Sequence, residues 1–299
     1  MTAVPWPNFF IVGAPRSGTT SLYHYLKQHP QVFMSRIKEP RFFALEGRRP
    51  DVTEHSHERR EITTKLCDYL ALFQEAHDAI AVGEASTAYL NDESAPGAIA
   101  DRVPNARIVA ILRHPAERAF SAFQYKHRDG REPLGRFKDA LAAEAQRVKD
   151  GKTWYEYKGK GFYARALKRY FDRFDRSRIR VYLSEDLSDR PVWMMRDLFE
   201  FLCVDAGFTP DLSIRHSMSG RARSVGIQRW LTGKQPLKEV LKKAIPEQWG
   251  HRVISWIQPH NMVRGGLDAD TRLRLTREYS NDILSLQDLI GRDLSHWLA

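Results

Sequence analysis

The chain has very little cysteine and no long apolar run, and these two features argue against several classes of protein. Its 299 residues include two cysteines, Cys67 and Cys203, and they form no C-x-x-C pair or cysteine–histidine cluster, which argues against a structural zinc site. Two isolated cysteines are more typical of a reduced protein than of a disulfide framework. No apolar run of about 18 residues occurs and the N-terminus lacks the pattern of a secretory leader, so no membrane span is predicted. We therefore expect a cytoplasmic protein.

An excess of basic residues is the clearest feature of the composition. Lysine and arginine number 47 against 37 aspartates and glutamates, which gives a formal net charge of +10. A basic protein favours anionic ligands such as phosphates, sulfates, acidic glycans or nucleic acid, although the charge alone also fits an ordinary protein kept in solution by its surface. With 42% hydrophobic residues, the chain can build a sizeable core.

Short apolar runs alternate with amphipathic segments along the chain. Strands are predicted at residues 9–13, 32–34, 79–82, 107–112 and 178–183, and helices at 21–28, 116–128, 134–149, 162–174, 192–202 and 269–290. Strands that alternate with helices pair in parallel through right-handed crossovers. The predicted fold is therefore a three-layer α/β/α arrangement around a central, mostly parallel sheet. Because no linker or repeat is evident, one domain spanning residues 1–299 is expected.

A glycine-rich loop joins the first predicted strand to the first predicted helix. Gly13 and Gly18 have the spacing of the nucleotide-triphosphate motif G-x-x-x-x-G-K-[ST], and Thr20 fits its last position. Thr19 stands where that motif has lysine, which normally offsets charge on the β- and γ-phosphates. Arg16 supplies positive charge instead. Such a P-loop-type turn suits a short anion, for example a phosphosulfate, better than a triphosphate.

The donors of this loop are backbone amides and hydroxyls. The N–H groups around Gly18 can hold one phosphate at the start of the helix, and the neighbouring hydroxyl side chains add further donors. The alternative is a turn rich in serine and threonine that merely caps a helix. The predicted anion-binding set consists of Arg16, Ser17, Gly18, Thr19, Thr20 and Ser21.

A second anion site is predicted where the fourth strand ends. Arg113 follows that strand at the sheet edge where open α/β proteins bind ligands, and Ser121 lies about two turns along the next predicted helix. An arginine offers a forked, permanent charge to a phosphate, and a serine adds a hydroxyl donor. The alternative gives Arg113 a salt bridge at the helix edge and makes Ser121 a packing residue.

Together these two motifs resemble those of the sulfotransferases that use 3′-phosphoadenosine 5′-phosphosulfate (PAPS). The similarity is greatest to the heparan sulfate sulfotransferase branch and its bacterial relatives. Residues 10–22 resemble the 5′-phosphosulfate loop of that family, and residues 113–121 resemble its 3′-phosphate motif. Residues 38–43, with the sequence KEPRFF, are similar to the segment that contains the family's glutamate base. Residues 219–221 resemble a late basic loop that folds over the nucleotide, and residues 293–298 are also similar.

The resemblance implies an enzyme that moves a sulfuryl group from PAPS to a hydroxyl or amine of a glycan, lipid or small metabolite, releasing PAP without help from a metal. Glu39 would take the proton of the acceptor, while Arg16 and the loop amides would stabilise charge on the leaving phosphate. Lys38 joins these residues in the predicted catalytic set. The nucleotide-binding set gains Ser219, Gly220 and Arg221. The alternative for Glu39 is a surface carboxylate paired with Lys38 or Arg41.

The chain departs from the family pattern at two positions. Many relatives have lysine in the first loop where this chain has Arg16, an exchange that keeps the charge. Glycan-modifying relatives have Glu-Lys-Ser/Thr where this chain has Glu84-Ala85-Ser86, so a positive charge is missing at Ala85, and Lys38 is the candidate to replace it. The identity of the acceptor, the choice between O- and N-sulfation, and the oligomeric state stay open.

Two other functions fit parts of the sequence. A P-loop kinase or NTPase would use Glu84 as its magnesium-binding acid, but Thr19 in the lysine position argues against it. A nucleic-acid-binding module would use the basic residues between 215 and 243, yet no RNA- or DNA-binding signature is present and no nucleic-acid partner is expected.

Some individual side chains also have two interpretations. His55 and His57, in a polar loop predicted at residues 46–64, are rival candidates for the base. Trp154, Tyr155 and Tyr157 are candidates to stack on a ring of the acceptor, with packing inside the protein as the equal alternative.

Overall fold

The computed structural model describes residues 6–47, 63–213 and 266–299, together with the backbone of residues 221–222 and 262–263. The strands are β1 (Phe9–Gly13), β2 (Val32–Met34), β3 (Ala81–Ala85), β4 (Arg107–Leu112), β5 (Ile179–Leu183), β6 (Arg221–Ala222) and β7 (Met262–Val263). Five of them form one parallel sheet in the order β2-β3-β1-β4-β5, while β6 and β7 form an antiparallel pair.

Ten helices are found in the part of the chain that the structure describes. They are α1 (Thr19–Leu26), α2 (Phe42–Leu45), α3 (Leu66–Ala71), α4 (Ala95–Arg102), α5 (Pro115–Arg128), α6 (Phe137–Lys149), α7 (Tyr163–Phe171), α8 (Ser184–Asp189), α9 (Pro191–Leu202) and α10 (Ala269–Ile290). Short 3₁₀ turns lie at Thr153–Tyr155, Gly159–Gly161, Arg176–Arg178 and Ser295–Trp297. Every predicted strand and helix is present, with ends displaced by no more than about three residues. Helices α2, α3, α4 and α8, all short, were not predicted.

The chain divides into two compact units. The first contains Met1–Arg118, Gly159–Ser217 and Leu275–Ala299, and therefore the whole parallel sheet. The second contains Ala119–Lys158 and Met218–Arg274, with most of α5, the helix α6 and the strands β6 and β7. A single domain spanning residues 1–299 stays a prediction.

Side chains of β1 pack alternately on the two faces of the parallel sheet. Phe9 and Ile11 join a buried cluster with residues of α1 and α9. Phe10 points to the other face, where its ring meets that of Phe43 of α2 edge-on, with 5.5 Å between centroids. Burial on both faces is typical of parallel sheets covered by helices. The predicted three-layer α/β/α fold is confirmed.

The register of the sheet brings the carboxyl ends of three strands together. In the centre, Ile11 of β1 pairs with Ala85 of β3 on one side and with Val109 of β4 on the other. The loops that follow these three strands therefore leave the same edge of the sheet side by side, as in other open α/β proteins that bind ligands there.

The third strand lies later in the chain than predicted. It was expected at residues 79–82, ending at the stretch Gly83-Glu84-Ala85-Ser86, but β3 spans Ala81–Ala85. All five of its residues are buried; β2 pairs with it as far as Gly83, and pairing with β1 extends it to Ala85. As a result Glu84 lies inside a buried strand.

Candidate active site

The loop after β1 leads directly into α1 and has the form expected of an anion cradle. Gly18 occupies the N-cap position with a φ of 108°, and its carbonyl accepts the first helical hydrogen bond from Leu22, at 3.1 Å. No side chain caps the helix, and no acidic residue lies in its first turn. The amide groups at this end therefore have no acceptor from a capping side chain and can hold an anion. The alternative of a serine or threonine cap is wrong.

Gly18 of this loop is required by its backbone angle and Gly13 by space. A Cβ on Gly18 would lie 2.8 Å from Leu187 Cδ2, and its φ falls in the left-handed region that glycine adopts most easily. A Cβ on Gly13 would lie 2.7 Å from Leu90 Cβ. The motif's glycines therefore allow the loop to run close against its neighbours.

A buried hydroxyl in this loop supports its assignment as an anion site. The Ser17 side chain is 2% exposed, and its Oγ has no hydrogen-bond partner among the described residues. An unsatisfied buried polar group costs about 1–3 kcal/mol, so native structures rarely keep one without a use. Thr19 and Ser21 are also buried, whereas Arg16 and Thr20 are partly exposed. These residues fit an anion that would accept a hydrogen bond from Ser17.

Arg113 directly follows β4, as predicted, and its side chain lies next to Glu117. The Nη2 atom is 3.4 Å from Glu117 Oε2, and the two side chains are 28% and 31% exposed. The salt bridge given as the alternative is therefore present. A partly exposed pair at this distance contributes at most about 1 kcal/mol, so it does not prevent the guanidinium from binding a phosphate. The Tyr163 hydroxyl donates to the Arg113 carbonyl at 3.0 Å and holds the backbone here.

Several predicted residues are not placed beside the loop by the structure. Ser121 is buried on the part of α5 that belongs to the second unit, and its role stays a prediction. Ser219 and Gly220 lie outside the described residues, and Arg221 is described by its backbone alone, in β6. The rival bases His55 and His57 also lie outside the described residues.

Glu39 is a buried carboxylate between two cations. Lys38 Nζ lies 3.1 Å from its Oε1, and Arg41 Nη2 lies 3.3 Å from its Oε2. The alternative was correct about these partners but wrong about exposure, because Glu39 is only 5% exposed. Its N–H donates to the Ala85 carbonyl at 2.9 Å, which ties residue 39 to the end of β3. Lys38 was the candidate for the charge missing at Ala85, and Arg41 was not among the predicted site residues.

Three non-glycine residues in this region have left-handed backbone conformations. The φ angles are 69° at Arg16, 67° at Glu39 and 58° at Arg41. Such conformations cost about 1–3 kcal/mol each and cluster at functional sites, where the surrounding structure enforces them. No glycine or asparagine marks residues 39 and 41, so the sequence carries no signal for this geometry.

A second buried carboxylate lies behind this segment. Glu84 is fully buried and accepts hydrogen bonds from the hydroxyls of Tyr69 at 2.7 Å, Ser86 at 2.8 Å and Tyr89 at 2.9 Å. Burial raises the pKa of Glu84 to about 7, with a smaller contribution from the charge of Glu39, although the three hydrogen bonds oppose the shift. The role expected for Glu84 from the sequence was that of a magnesium-binding acid in the kinase alternative, and its three hydroxyl partners were not predicted.

The aromatic residues proposed for acceptor stacking lie in the second unit. Lys126 Nζ is 4.5 Å from the ring centroid of Tyr157 and 4.7 Å from that of Trp154. The Arg147 guanidinium is 4.2 Å from the centroid of Tyr155. Because Tyr157 is fully buried, the packing alternative is confirmed for that ring.

A cavity of about 400 Å³ in the first unit is lined by residues of α9 and by residues 206–210 and 212, none of which belongs to the predicted site. Within the described ranges no helix is long and apolar enough to cross a membrane. No cluster of metal-ligating side chains was found among the same residues, and the absence of a metal stays a prediction.

Comparison with known proteins gives consistent matches to one family. The model of the Sulfotransferase family matches residues 7–208. A sulfotransferase from Alicyclobacillus acidocaldarius, known from a crystal structure, is 31% identical and superposes with a TM-score of 0.76, covering 99% of this chain and 100% of that chain.

Two curated relatives share lower identity. Bifunctional heparan sulfate N-deacetylase/N-sulfotransferase 4 of Mus musculus is 25% identical over 218 residues, which are 71% of this chain and 24% of that protein. Carbohydrate sulfotransferase 15 of Homo sapiens is 25% identical over 247 residues, with 66% of this chain and 43% of that protein covered. The chain thus matches less than half the length of either relative.

These similarities do not favour the kinase or NTPase alternative. The family match spans the loop after β1, the Glu39 segment and Arg113. The loop carries no lysine at position 19, and the parallel sheet presents this loop in its centre. The chain belongs to the sulfotransferase family and is a sulfotransferase enzyme.

Proposed function

We propose that this enzyme takes its sulfuryl group from PAPS and transfers it to a hydroxyl or amine of an acceptor, releasing PAP. One observation carries the proposal: the loops after three adjacent parallel strands offer an anion cradle in the centre, with Arg113 after β4 and Glu39 tied to the end of β3. A donor with phosphates at both ends needs two anion sites, and an acceptor with a bound proton needs a base. The loop after β1, Arg113 after β4 and Glu39 in the segment after β2 would supply these groups at one edge of the sheet.

The two anion sites divide the donor between them. The cradle of Arg16, Ser17 and the amides at the start of α1 would hold the 5′-phosphosulfate. Arg113 would bind the 3′-phosphate on the other side of β1, with Ser121 as a further donor. The late loop with Ser219, Gly220 and the basic residue Arg221 would cover the nucleotide.

The chemical step is an in-line displacement at sulfur. The acceptor oxygen or nitrogen forms a bond to sulfur while the bond from sulfur to the 5′-phosphate oxygen breaks, so negative charge develops on the phosphate. Arg16 and the loop amides would stabilise that charge. Glu39 would take the proton from the acceptor and later release it to water, and Lys38 and Arg41 would hold the Glu39 carboxylate in place.

The acceptor class is the least determined part of the proposal. The curated relatives are named for heparan sulfate and carbohydrate substrates, so glycans are the first acceptors to screen. Hydroxylated lipids and small metabolites also offer a suitable hydroxyl or amine. A cytoplasmic location stays a prediction from the sequence.

Nucleotide binding by the Arg113→Ala variant tests the proposal. Calorimetry should show binding of PAP to the unaltered enzyme and at least tenfold weaker binding of Mg-ATP. In Arg113→Ala the PAP affinity should fall by about tenfold to a hundredfold, because a charge-assisted contact contributes about 1.5–3 kcal/mol. Adenosine 5′-phosphosulfate, which lacks the 3′-phosphate, should lose much less.

The matched control is Arg107→Ala. Arg107 begins the same strand at its opposite end, so its loss should leave PAP affinity within about twofold. Equal losses for PAP and adenosine 5′-phosphosulfate in Arg113→Ala would remove Arg113 from the 3′-phosphate site. Failure of the unaltered enzyme to bind PAP would refute PAPS as the donor.

A further inference from the structure

The carboxylate of Glu84 has no part in the chemistry proposed above, yet it is the centre of the most heavily hydrogen-bonded buried cluster near Glu39. Three hydroxyls donate to it within 2.9 Å, from Tyr69 on α3 and from Ser86 and Tyr89 in the segment after β3. A buried carboxylate is costly to maintain, and its partners show what it does.

Two of these hydroxyls also accept hydrogen bonds from backbone N–H groups of another segment. The Ser86 oxygen accepts a hydrogen bond from the Arg41 N–H at 3.0 Å, and the Tyr89 oxygen accepts one from the Phe43 N–H at 3.2 Å. Each hydroxyl has one proton, and each donates it to Glu84 while its oxygen accepts from an amide. The carboxylate therefore sets the direction of both hydroxyls and keeps their oxygens turned towards the amides.

The amide groups of residues 39, 41 and 43 are all bound to the segment that ends β3 and follows it. The first of the three donates to the Ala85 carbonyl at 2.9 Å, and the next two donate to Ser86 and Tyr89. Two of these three residues, Glu39 and Arg41, have positive φ angles of 67° and 58°. Because such conformations persist only where neighbouring structure imposes them, these three hydrogen bonds account for the unusual backbone of residues 39–43.

We infer that Glu84 is a positioning residue, which fixes residues 39–43 through the hydroxyls of Ser86 and Tyr89 and thereby directs the Glu39 carboxylate towards the acceptor. This inference rests on the proposed role of Glu39 as the base. Glu84 acts through these hydroxyls and is itself fully buried. An error of about 1 Å in the position of a reacting group can reduce turnover by about a hundredfold, so a small shift of this segment matters.

The arrangement requires Glu84 to be ionised. A proton on the carboxyl would turn one acceptor oxygen into a donor, so a hydroxyl that now donates to that oxygen would lose this bond and its own proton would no longer be held by Glu84. The titratable groups that face Glu84 are Tyr69 from α3, Tyr89 beside it, Tyr170 from α7, and Glu39. We call the hydrogen bonds that run from the two backbone amides through the hydroxyls of Ser86 and Tyr89 to Glu84 the relay. With the pKa of Glu84 raised to about 7, the relay weakens as the pH falls through neutrality.

The decisive comparison is between two tyrosine variants. Tyr89→Phe removes a hydroxyl that binds both Glu84 and an amide, whereas Tyr69→Phe removes one that binds the same carboxylate and, among the described residues, no backbone N–H. We expect kcat to fall about tenfold to a hundredfold in Tyr89→Phe, with the KM for PAPS within about threefold. The loss of kcat in Tyr69→Phe should be at least about tenfold smaller than the loss in Tyr89→Phe. Ser86→Ala should resemble Tyr89→Phe.

Hydrogen exchange separates this inference from the role of Glu39. The amide of Phe43 should lose protection in Tyr89→Phe and that of Arg41 in Ser86→Ala, and neither should lose it in Tyr69→Phe, whatever the base is. Equal losses of kcat in Tyr69→Phe and Tyr89→Phe, or unchanged protection in Tyr89→Phe, would overturn the positioning role. If protection is lost as expected but Glu39→Gln keeps full turnover, the relay stands and the proposed base fails.

The dependence of kcat on pH distinguishes a positioning role from a purely structural one, because a cluster that only stabilises the fold would not alter it. In the unaltered enzyme kcat should decline below about pH 7, following the pKa of Glu84. Glu84→Gln should lower kcat about tenfold or more and abolish this decline, because its amide does not titrate in this range. A decline retained unchanged in Glu84→Gln would refute the link.

Discussion

Glu39 combines features that a surface glutamate lacks. Its side chain is buried, two cations lie within 3.3 Å, and its backbone is left-handed. Lys38 and Arg41 hold the two carboxylate oxygens from either side, which limits the rotation of the carboxylate. A base is effective only when it is held within hydrogen-bonding reach of the proton that it removes. At the scale of a residue, the proposed role of Glu39 therefore depends on how its carboxylate is held as much as on its chemical type.

Replacing Glu39 by glutamine tests its chemical role with little change of shape. We expect Glu39→Gln to reduce turnover by about 10²–10⁴-fold, because the amide cannot accept the proton of the acceptor. PAP affinity should stay within about threefold, since the proposed nucleotide contacts lie elsewhere. Turnover is measured with labelled PAPS and PAP affinity by calorimetry.

Glu46→Gln is the matched control for this variant. Glu46 lies seven residues further along the chain and pairs with Arg102 at 2.7 Å, so its loss should leave turnover within about twofold. Normal turnover in Glu39→Gln would exclude this residue as the base and leave the family assignment intact.

At the scale of elements, the segment after α10 is fastened to α8 by a buried ion pair. Asp186 is 1% exposed and accepts from Arg292 at 2.7 Å, from Arg190 at 2.8 Å and from the Leu183 N–H at 2.9 Å. Nearby, the Trp297 indole donates to Glu185 at 2.9 Å. Burial alone would raise the pKa of the Asp186 carboxyl, but these hydrogen bonds outweigh it and hold the pKa below its usual value.

The two arginines that share Asp186 should differ in their contribution to stability. Arg292 is 30% exposed whereas Arg190 is 56% exposed, so water screens the Arg190 pair more strongly. We expect Arg292→Ala to reduce the free energy of unfolding by about 2–3 kcal/mol and Arg190→Ala by less than about 1 kcal/mol. Urea unfolding at pH 7 measures both, and equal effects would contradict this assignment.

At the scale of the whole molecule, Glu84 links the pH dependence of stability to that of activity. Its pKa is raised from 4.5 to about 7 in the folded state, so between these values the folded protein binds more protons than the unfolded chain. Its contribution to stability is therefore most favourable below about pH 4.5 and declines as the pH rises through 7. Activity should change in the opposite direction, because the relay needs the ionised form.

The stability of Glu84→Gln checks this sign. Glutamine does not titrate, so the free energy of unfolding of this variant should rise relative to that of the unaltered enzyme as the pH increases. The rise should be roughly 3 kcal/mol from pH 5 to pH 8, as the shift in the pKa of Glu84 requires. Chemical unfolding at the two pH values gives the difference. A difference that does not change with pH would show that Glu84 is not shifted.

The fold could be predicted from the sequence because its signals are local. Runs such as residues 9–13 and 107–112 are apolar without interruption, and both form buried strands at the expected places. The short helices α2 and α3 were missed because four to six residues carry too little periodicity to recognise. The third strand was placed too early because its uninterrupted apolar run stops at Val82, whereas pairing with β1 keeps Gly83 and Glu84 in the sheet.

By itself the sequence determined the place of the glycine-rich loop after β1 and the prediction that it binds an anion, since Gly13, Arg16, Gly18 and Thr19 lie within one short stretch whose spacing is informative. Only the tertiary structure decided what surrounds Glu39 and Glu84. The hydrogen bonds from Arg41 to Ser86 and from Phe43 to Tyr89 join residues 45 and 46 positions apart in the chain. Folding of the sheet brings those residues together, and no local sequence pattern indicates that contact.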